Sequence, residues 1–452
     1  MKEILQSLNF QQIYFKGKVF DQITIEDAID HLAKYFQKNV YSQSPFILFT
    51  AFNHIKTIIT YYAILKAGKI AVILDPQTKS IELEEIIEDV DPCAVVSLDE
   101  KIISFDYSHE IVFRKQDKHF VINSNLKDVC TIAYTNAEDG FSKGAMLTEK
   151  NLLSEVYPMI KTNGLTEDTV TCALLPFSHL YGLVQGILVP THAGASALIN
   201  ELNVLRLNEI INEIEEYKVS HLYTIPSVYY LFCKVPDIER IFLRIKEFYS
   251  GGIQLPQFIL ESFYQKTKHK IREGYGLTES AACAAYNYQE SGPVTNSFGR
   301  AFPGCEIKIM DDCGEECPTG KIGEICLKGD IVFKGYFNHE SATKTVLKND
   351  WLYTGDYGRK DREGYFYFCG LKKKMINMAG NNVYPRKLER LIGANNNVLS
   401  VSVYSEESVL QGHTVGAIVK LKDASKKAQE ELRLWCAKNI NNTILPKSYL
   451  FE

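Results

Sequence analysis

No long run of lysine and arginine occurs anywhere in the 452 residues, and 55 acidic side chains slightly outnumber 50 basic ones, for a net charge of -5. A basic stripe for nucleic acid is therefore not expected. Nor is there a long unbroken apolar run. The opening MKEILQSLNFQQ lacks the apolar core of a signal peptide, and the most apolar stretch, Gly182 to Ile199, is broken by Gln185, Pro190, Thr191 and His192. No membrane span is expected, and the reading is of a soluble, cytoplasmic protein. The eleven cysteines lack regular spacing, which fits reduced thiols better than a disulfide framework. Only Cys313 and Cys317 sit close, in DDCGEECPTG, where Gly and Pro favour a β-turn over a metal or redox pair. What is present is 46% apolar and 12% aromatic residues, enough for one large domain and a smaller one.

From residue 45 onward, short β-rich runs (PFILFTA at 45, KIAVILD at 69, CAVVS at 93) alternate with helical patterns at Ile55 to Lys66 and Ile81 to Asp89. Such alternation implies βαβ units and parallel sheet. It resumes with CTIAYT at 130, VTCALLP at 170, ASALIN at 195, HLYTIP at 221 and EFYSGG at 247. Between about 298 and 368, closely spaced Gly, Asp and aromatic residues predict short antiparallel strands. The fold class is α/β: a large N-terminal domain over 1–370, made of parallel-sheet layers with a β-rich subdomain at 298–368. A hinge at 371–375 leads to a small α+β C-terminal domain over 376–452, with helices near Pro385 to Ile392 and Ser425 to Lys438 and strands at Val398 to Tyr404 and Thr414 to Leu421.

The segment E-G-Y-G-L-T-E-S, Glu273 to Ser280, follows a strand-like stretch and packs two glycines, a ring, a hydroxyl and a carboxylate into eight residues. Gly274 and Gly276 permit close backbone approach, Tyr275 can stack on a base, Thr278 can donate to a phosphate, and Glu279 can hold a hard divalent cation. An ordinary surface turn has the same composition. Further motifs occur in order along the chain: L-K-A-G-K-I-A-V-I-L-D-P from Leu65, L-P-F-S-H-L-Y-G from Leu175, S-G-G-I-Q-L from Ser250, G-E-I-C-L-K-G from Gly323, K-G-Y-F-N from Lys334, W-L-Y-T-G-D from Trp351 and G-L-K-K-K-M-I-N-M-A-G-N-N-V-Y-P-R-K-L-E from Gly370.

This ordered series resembles the acyl-adenylate-forming (AMP-binding) ligase superfamily, which includes acyl-CoA synthetases. The resemblance implies ATP-dependent activation of a small carboxylic acid as its acyl-adenylate, with Mg²⁺, followed by transfer to the thiol of CoA or of an acyl carrier protein's phosphopantetheine. It implies that His179, Gly182, Gly276 and Ala281 line the acyl pocket. Nucleotide contacts are implied for Thr135, Lys143, Ser250, Gly251, Gly252, Glu273, Gly274, Tyr275, Thr278 and Asp356, the last accepting from the ribose hydroxyls, as suits an acceptor-only carboxylate. His179, Thr278 and Glu279 are the expected catalytic residues, Glu279 the metal ligand, and Lys374 the pivot of the hinge.

The sequence also departs from the family. Its phosphate loop, usually close to Y-T-S-G-T-T-G-x-P-K-G, here reads Y-T-N-A-E-D-G-F-S-K-G from Tyr134 to Gly144. A carboxylate about 5 Å from a phosphate charge, at an effective dielectric near 20, is repelled by roughly 3 kcal/mol, on the order of a hundredfold in affinity. Glu138 and Asp139 are thus expected to impair ATP binding unless Mg²⁺ neutralises them, Lys143 holds them, or they turn to solvent. Leu371 stands where an arginine is usual. Family members also continue to a G-K-bearing segment, whereas Lys438 and Lys447 read as solvated surface charges, either because the chain is naturally short or because it continues beyond Glu452. Two readings follow: an active acid–thiol ligase, and a degenerate relative that serves as a binding or scaffold module or acts on an already activated acyl group.

Overall fold

The computed structural model describes all residues except 1, 41–42, 100–104, 106, 108–109, 115–124, 136–140, 289–291, 373–375, 379–380, 384 and 409–411. Two sheets dominate the N-terminal part. The six-stranded sheet has a parallel centre, in which Phe46–Thr50 lies between Ile70–Leu74 and Ala94–Val96, and Ile70–Leu74 pairs in turn with Val129–Thr135. Its edges, Ile111–Phe113 and Lys143–Thr148, are antiparallel. The nine-stranded sheet runs parallel through Gln12–Phe15, Ser196–Ile199, Val170–Ala173, His221–Thr224, Glu247–Ser250 and Ile271–Tyr275, then turns antiparallel at Ala285–Tyr286 and Arg300–Ala301.

Period-two alternation puts apolar side chains on both faces of these strands, as sheets covered on both sides require. Ile47 and Phe49 enter a core cluster shared with Tyr223 and Tyr249 of the other sheet, while Phe46 and Leu48 pack into a separate outer cluster. The helix Ile55–Lys66 is buried at every position from Ile55 to Leu65, which explains its nearly all-round apolar sequence.

A five-stranded antiparallel sheet follows, formed by Cys305–Met310, Gly323–Gly329, Leu347–Lys348, Trp351–Lys360 and Phe366–Leu371. DDCGEECPTG forms the turn expected of it, closed by Asp311 N–H donating to Glu315 O at 2.9 Å. The C-terminal part has its own core around Leu388, Val415, Ala417 and Cys436, with helices Pro385–Gly393 and Lys426–Asn439 against strands Val398–Ser408 and Gly412–Leu421. The α/β class with a smaller β-containing C-terminal unit is as expected. Three features lack a strong local signal and were not expected: the hairpin of Gln12–Phe15 with Lys18–Asp21, the hairpin of Ile376–Met378 with Asn381–Val383, and the strand Ser448–Phe451, which adds parallel to Gly412–Leu421. Among the described residues, no helix is long and apolar enough to cross a membrane.

Candidate functional site

The strand Ile271–Tyr275 carries E-G-Y out of the nine-stranded sheet and into a short 3₁₀ turn, Thr278–Ser280. Its last ring reaches the five-stranded sheet: Tyr275 Oη donates to Asp356 Oδ2 at 2.7 Å across 81 residues of sequence. Asp356 is buried, and its backbone N–H donates to Thr354 Oγ1 at 3.1 Å. Burial, and then the Asp356 carboxylate, push the Tyr275 hydroxyl well above its ordinary range, so it remains a donor. The carboxylate expected to take the ribose hydroxyls is therefore held in place by the ring expected to face the base.

Glu279, on the 3₁₀ turn, accepts from Tyr336 Oη at 2.6 Å. Tyr336 bridges Ala145 in an antiparallel contact, and the neighbouring bonds Met146 N–H to Gly335 O (2.9 Å) and Phe337 N–H to Gly144 O (2.8 Å) fix that segment to the strand Lys143–Thr148. Thr135 faces Lys143 across the antiparallel pair. Both ends of the expected phosphate loop are thereby brought beside Glu279. The loop's centre, Asn136 to Gly140 with Glu138 and Asp139, lies outside the described residues, as does Lys374. Among the described residues, no three His, Cys, Asp or Glu side chains gather to hold a metal. A cation here would take Glu279 and the oxygens of the substrate's phosphates, the usual arrangement for Mg²⁺.

The glycines have distinct duties. A Cβ on Gly276 would fall 2.0 Å from Ala282 O, so the T-E-S turn can fold back only over a glycine. That fold also holds Ala281 and Ala282 at φ of 58° and 110°, in the region L residues disfavour. Ala281 is buried beneath this turn, and Thr278 is half-buried on it. Gly182 would meet Pro176 O at 2.0 Å, a backbone packing requirement. Gly251 is buried against the Tyr181 ring, which a Cβ would approach to 2.9 Å, whereas Gly252 is exposed. Ser250 Oγ is buried without a hydrogen-bond partner. Glu273 is buried with Leu255 N–H at 3.0 Å, and burial raises its carboxyl from 4.5 to about 7. His179 is exposed, just before the helix Leu180–Leu183.

Several residues of the site escaped the sequence reading. Glu324, noted there only as part of the motif G-E-I-C-L-K-G, accepts from Gly355 N–H at 2.8 Å and pairs with Lys372 Nζ at 3.0 Å, setting the backbone immediately before Asp356. Leu371 lies opposite Asp356 in the strand register. The next residue, Lys372, is committed to Glu324 and Asp312. Tyr181 was foreshadowed only by its place two residues after His179. The C-terminal unit also reaches this region: Lys387 pairs with Glu82 and donates to Ser142 Oγ at 2.8 Å, Arg390 Nη2 donates to Glu85 Oε2 at 3.0 Å, and the Arg390 guanidinium lies 4.4 Å from the Phe141 ring centre.

Known proteins are similar to this chain over most of its length. A long-chain-fatty-acid–CoA ligase of Bacillus subtilis is 27% identical, over 97% of this chain and 87% of its own. Among solved structures, o-succinylbenzoate CoA synthetase from Bacillus subtilis superposes with a TM-score of 0.84 at 21% identity, covering 99% of this chain and 94% of that one. A malonyl-CoA ligase holding methylmalonyl-CoA and AMP gives a TM-score of 0.84 at 21% identity, covering 99% and 96%. These structures share the fold, and the resemblance drawn from the ordered motifs is borne out. With the AMP-binding enzyme family model matching residues 24–337, the chain belongs to the AMP-binding enzyme family.

Proposed function

We propose that this chain is an acid–thiol ligase: with ATP it converts a carboxylic acid to an acyl-adenylate, then passes the acyl group to CoA. The observation that carries the reading is the part-buried Tyr275–Asp356 pair, set beside Glu279 and the flanks of the phosphate loop. The names of its relatives, CoA ligases, support it.

In the first step an oxygen of the acid attacks the α-phosphorus, the bond to the β-phosphate oxygen breaks, and pyrophosphate leaves. Asp356 holds the ribose so that the α-phosphorus meets the acid, and positioning of this kind is worth several kcal/mol. Glu279 would hold Mg²⁺, which would supply charge neutralisation at the phosphates. Thr278 donates to phosphate, and Tyr336 fixes the Glu279 carboxylate that faces it. In the second step the CoA sulfur attacks the acyl carbon, the bond to AMP breaks, and the thiol proton passes to solvent. The cytoplasm, where ATP and CoA are available, is the location we assign.

The test is acid-dependent ATP–pyrophosphate exchange over aliphatic and aromatic acids, with Glu138→Thr/Asp139→Thr alongside. Exchange by the native chain is expected. No exchange by the native chain, together with exchange by the variant, sinks the reading and makes the natural chain a non-adenylating relative.

A further inference from the structure

The helix Ser80–Val90 carries three carboxylates on one side, Glu82, Glu85 and Asp89, at spacings of three and four residues. Two of them hold opposite ends of the phosphate loop. Asp89 Oδ2 accepts from Tyr134 Oη at 2.7 Å where the chain enters the loop, and Glu82 Oε1 accepts from Ser142 Oγ at 2.7 Å where it leaves. The C-terminal helix Pro385–Gly393 meets this side with Lys387 on Glu82 and Arg390 on Glu85. Each cation also touches the loop: Lys387 Nζ donates to Ser142 Oγ at 2.8 Å, and the Arg390 guanidinium lies over the Phe141 ring. The last two residues before the strand Lys143–Thr148 are thus clamped between helices whose paired side chains stand 305 residues apart in sequence.

Lys387, Glu82 and Ser142 form a closed triangle, in which the Ser142 hydroxyl gives its one proton to Glu82 and accepts from Lys387. Lys387 is buried and the Glu82 side chain is 14% exposed, so water and salt screen this pair weakly. With Lys387 in place the Glu82 charge is cancelled and the loop's exit is fixed, which spares a ligand part of the entropy of ordering it. Without Lys387, one more weakly screened carboxylate stands beside the loop, in addition to Glu138 and Asp139 of the loop's own sequence. That charge repels phosphates. The adenosine half of ATP is expected at Tyr275 and Asp356, on other elements, and carries no charge to be repelled.

Resting on the ligase reading above, we propose that Lys387 is a positioning residue for ATP, supplied by the C-terminal unit. It fixes the exit of the phosphate loop through Ser142 and cancels the Glu82 charge beside the triphosphate, with Arg390 doing the same for Phe141 and Glu85.

The experiment measures calorimetric binding of ATP, with Mg²⁺ throughout, and of adenosine to the full chain and to Lys387→Met, Lys387→Arg and Glu82→Gln/Lys387→Met. Lys387→Met is expected to bind ATP roughly tenfold more weakly, as for one carboxylate about 10 Å from a phosphate charge at an effective dielectric near 20, and to bind adenosine within about twofold of the native chain. Lys387→Arg, which restores the cation, and the double variant, which removes both charges, are expected to recover most of the loss. Native-like ATP binding by Lys387→Met overturns the proposal. So does equal weakening of ATP and adenosine, the mark of a purely structural role, or a double variant as weak as the single one. ATP binding by the native chain without pyrophosphate release from any acid removes the ligase reading and leaves this proposal to the same ratios, whereas no ATP binding by the native chain overturns both.

Discussion

Replacing Glu273 by glutamine isolates one buried carboxyl whose stability effect has a definite sign. The side chain is 7% exposed and accepts a compensating hydrogen bond from Leu255 N–H at 3.0 Å. Burial therefore outweighs that bond and raises the carboxyl from 4.5 to about 7. Below pH 4.5 the folded and unfolded chains both hold the proton, and the group has no pH effect. Between 4.5 and about 7 the unfolded chain releases it while the folded chain keeps it, so stability falls as pH rises. Above about 7 both are ionised and the loss is complete. At about 1.4 kcal/mol per tenfold change in proton affinity, it amounts to about 3 kcal/mol. Glutamine keeps an oxygen for Leu255 and never ionises. In urea unfolding followed by circular dichroism, Glu273→Gln should match the native chain within about 1 kcal/mol at pH 4.5 and exceed it by about 3 kcal/mol at pH 8. The difference between the two proteins cancels every other titrating group. A gap that stays constant between those pH values, or a variant weaker at pH 8, refutes the reasoning.

Two further perturbations test the site and its attachment. Asp356→Ala removes a charged acceptor for the ribose, each such bond being worth about 1.5–3 kcal/mol, so KM for ATP should rise roughly a hundredfold or more, while Tyr275→Phe, which only frees the carboxylate, should cost about tenfold. Steady-state rates at varied ATP decide it, and an unchanged KM in Asp356→Ala removes that residue from the nucleotide site. Lys387→Met leaves Glu82, 14% exposed, without its cation and should destabilise the docked C-terminal unit by about 3–5 kcal/mol. The paired change Glu82→Gln/Lys387→Met should recover part of that in a thermal melt, and additive losses count against a coupled pair.

Much of this protein was legible from residue order alone, because the signals involved are local. Short β-rich apolar runs placed the strands at 46–50, 70–74 and 247–250, and the helical pattern at 55–66 placed its helix, since such signals act within a few residues. Short edge elements such as Gln12–Phe15 and Ser448–Phe451 were not legible, because their pairing partners lie far off in sequence and supply most of what makes them strands. The resemblance carried by the motifs implied Tyr275 and Asp356 as nucleotide contacts and Glu279 as the metal ligand. Only the tertiary structure decided that Tyr275 holds Asp356, that Tyr336 holds Glu279, and that Glu324 secures Gly355. Each of those is a contact between distant segments whose geometry is fixed by how sheets pack, and no sequence spacing encodes it.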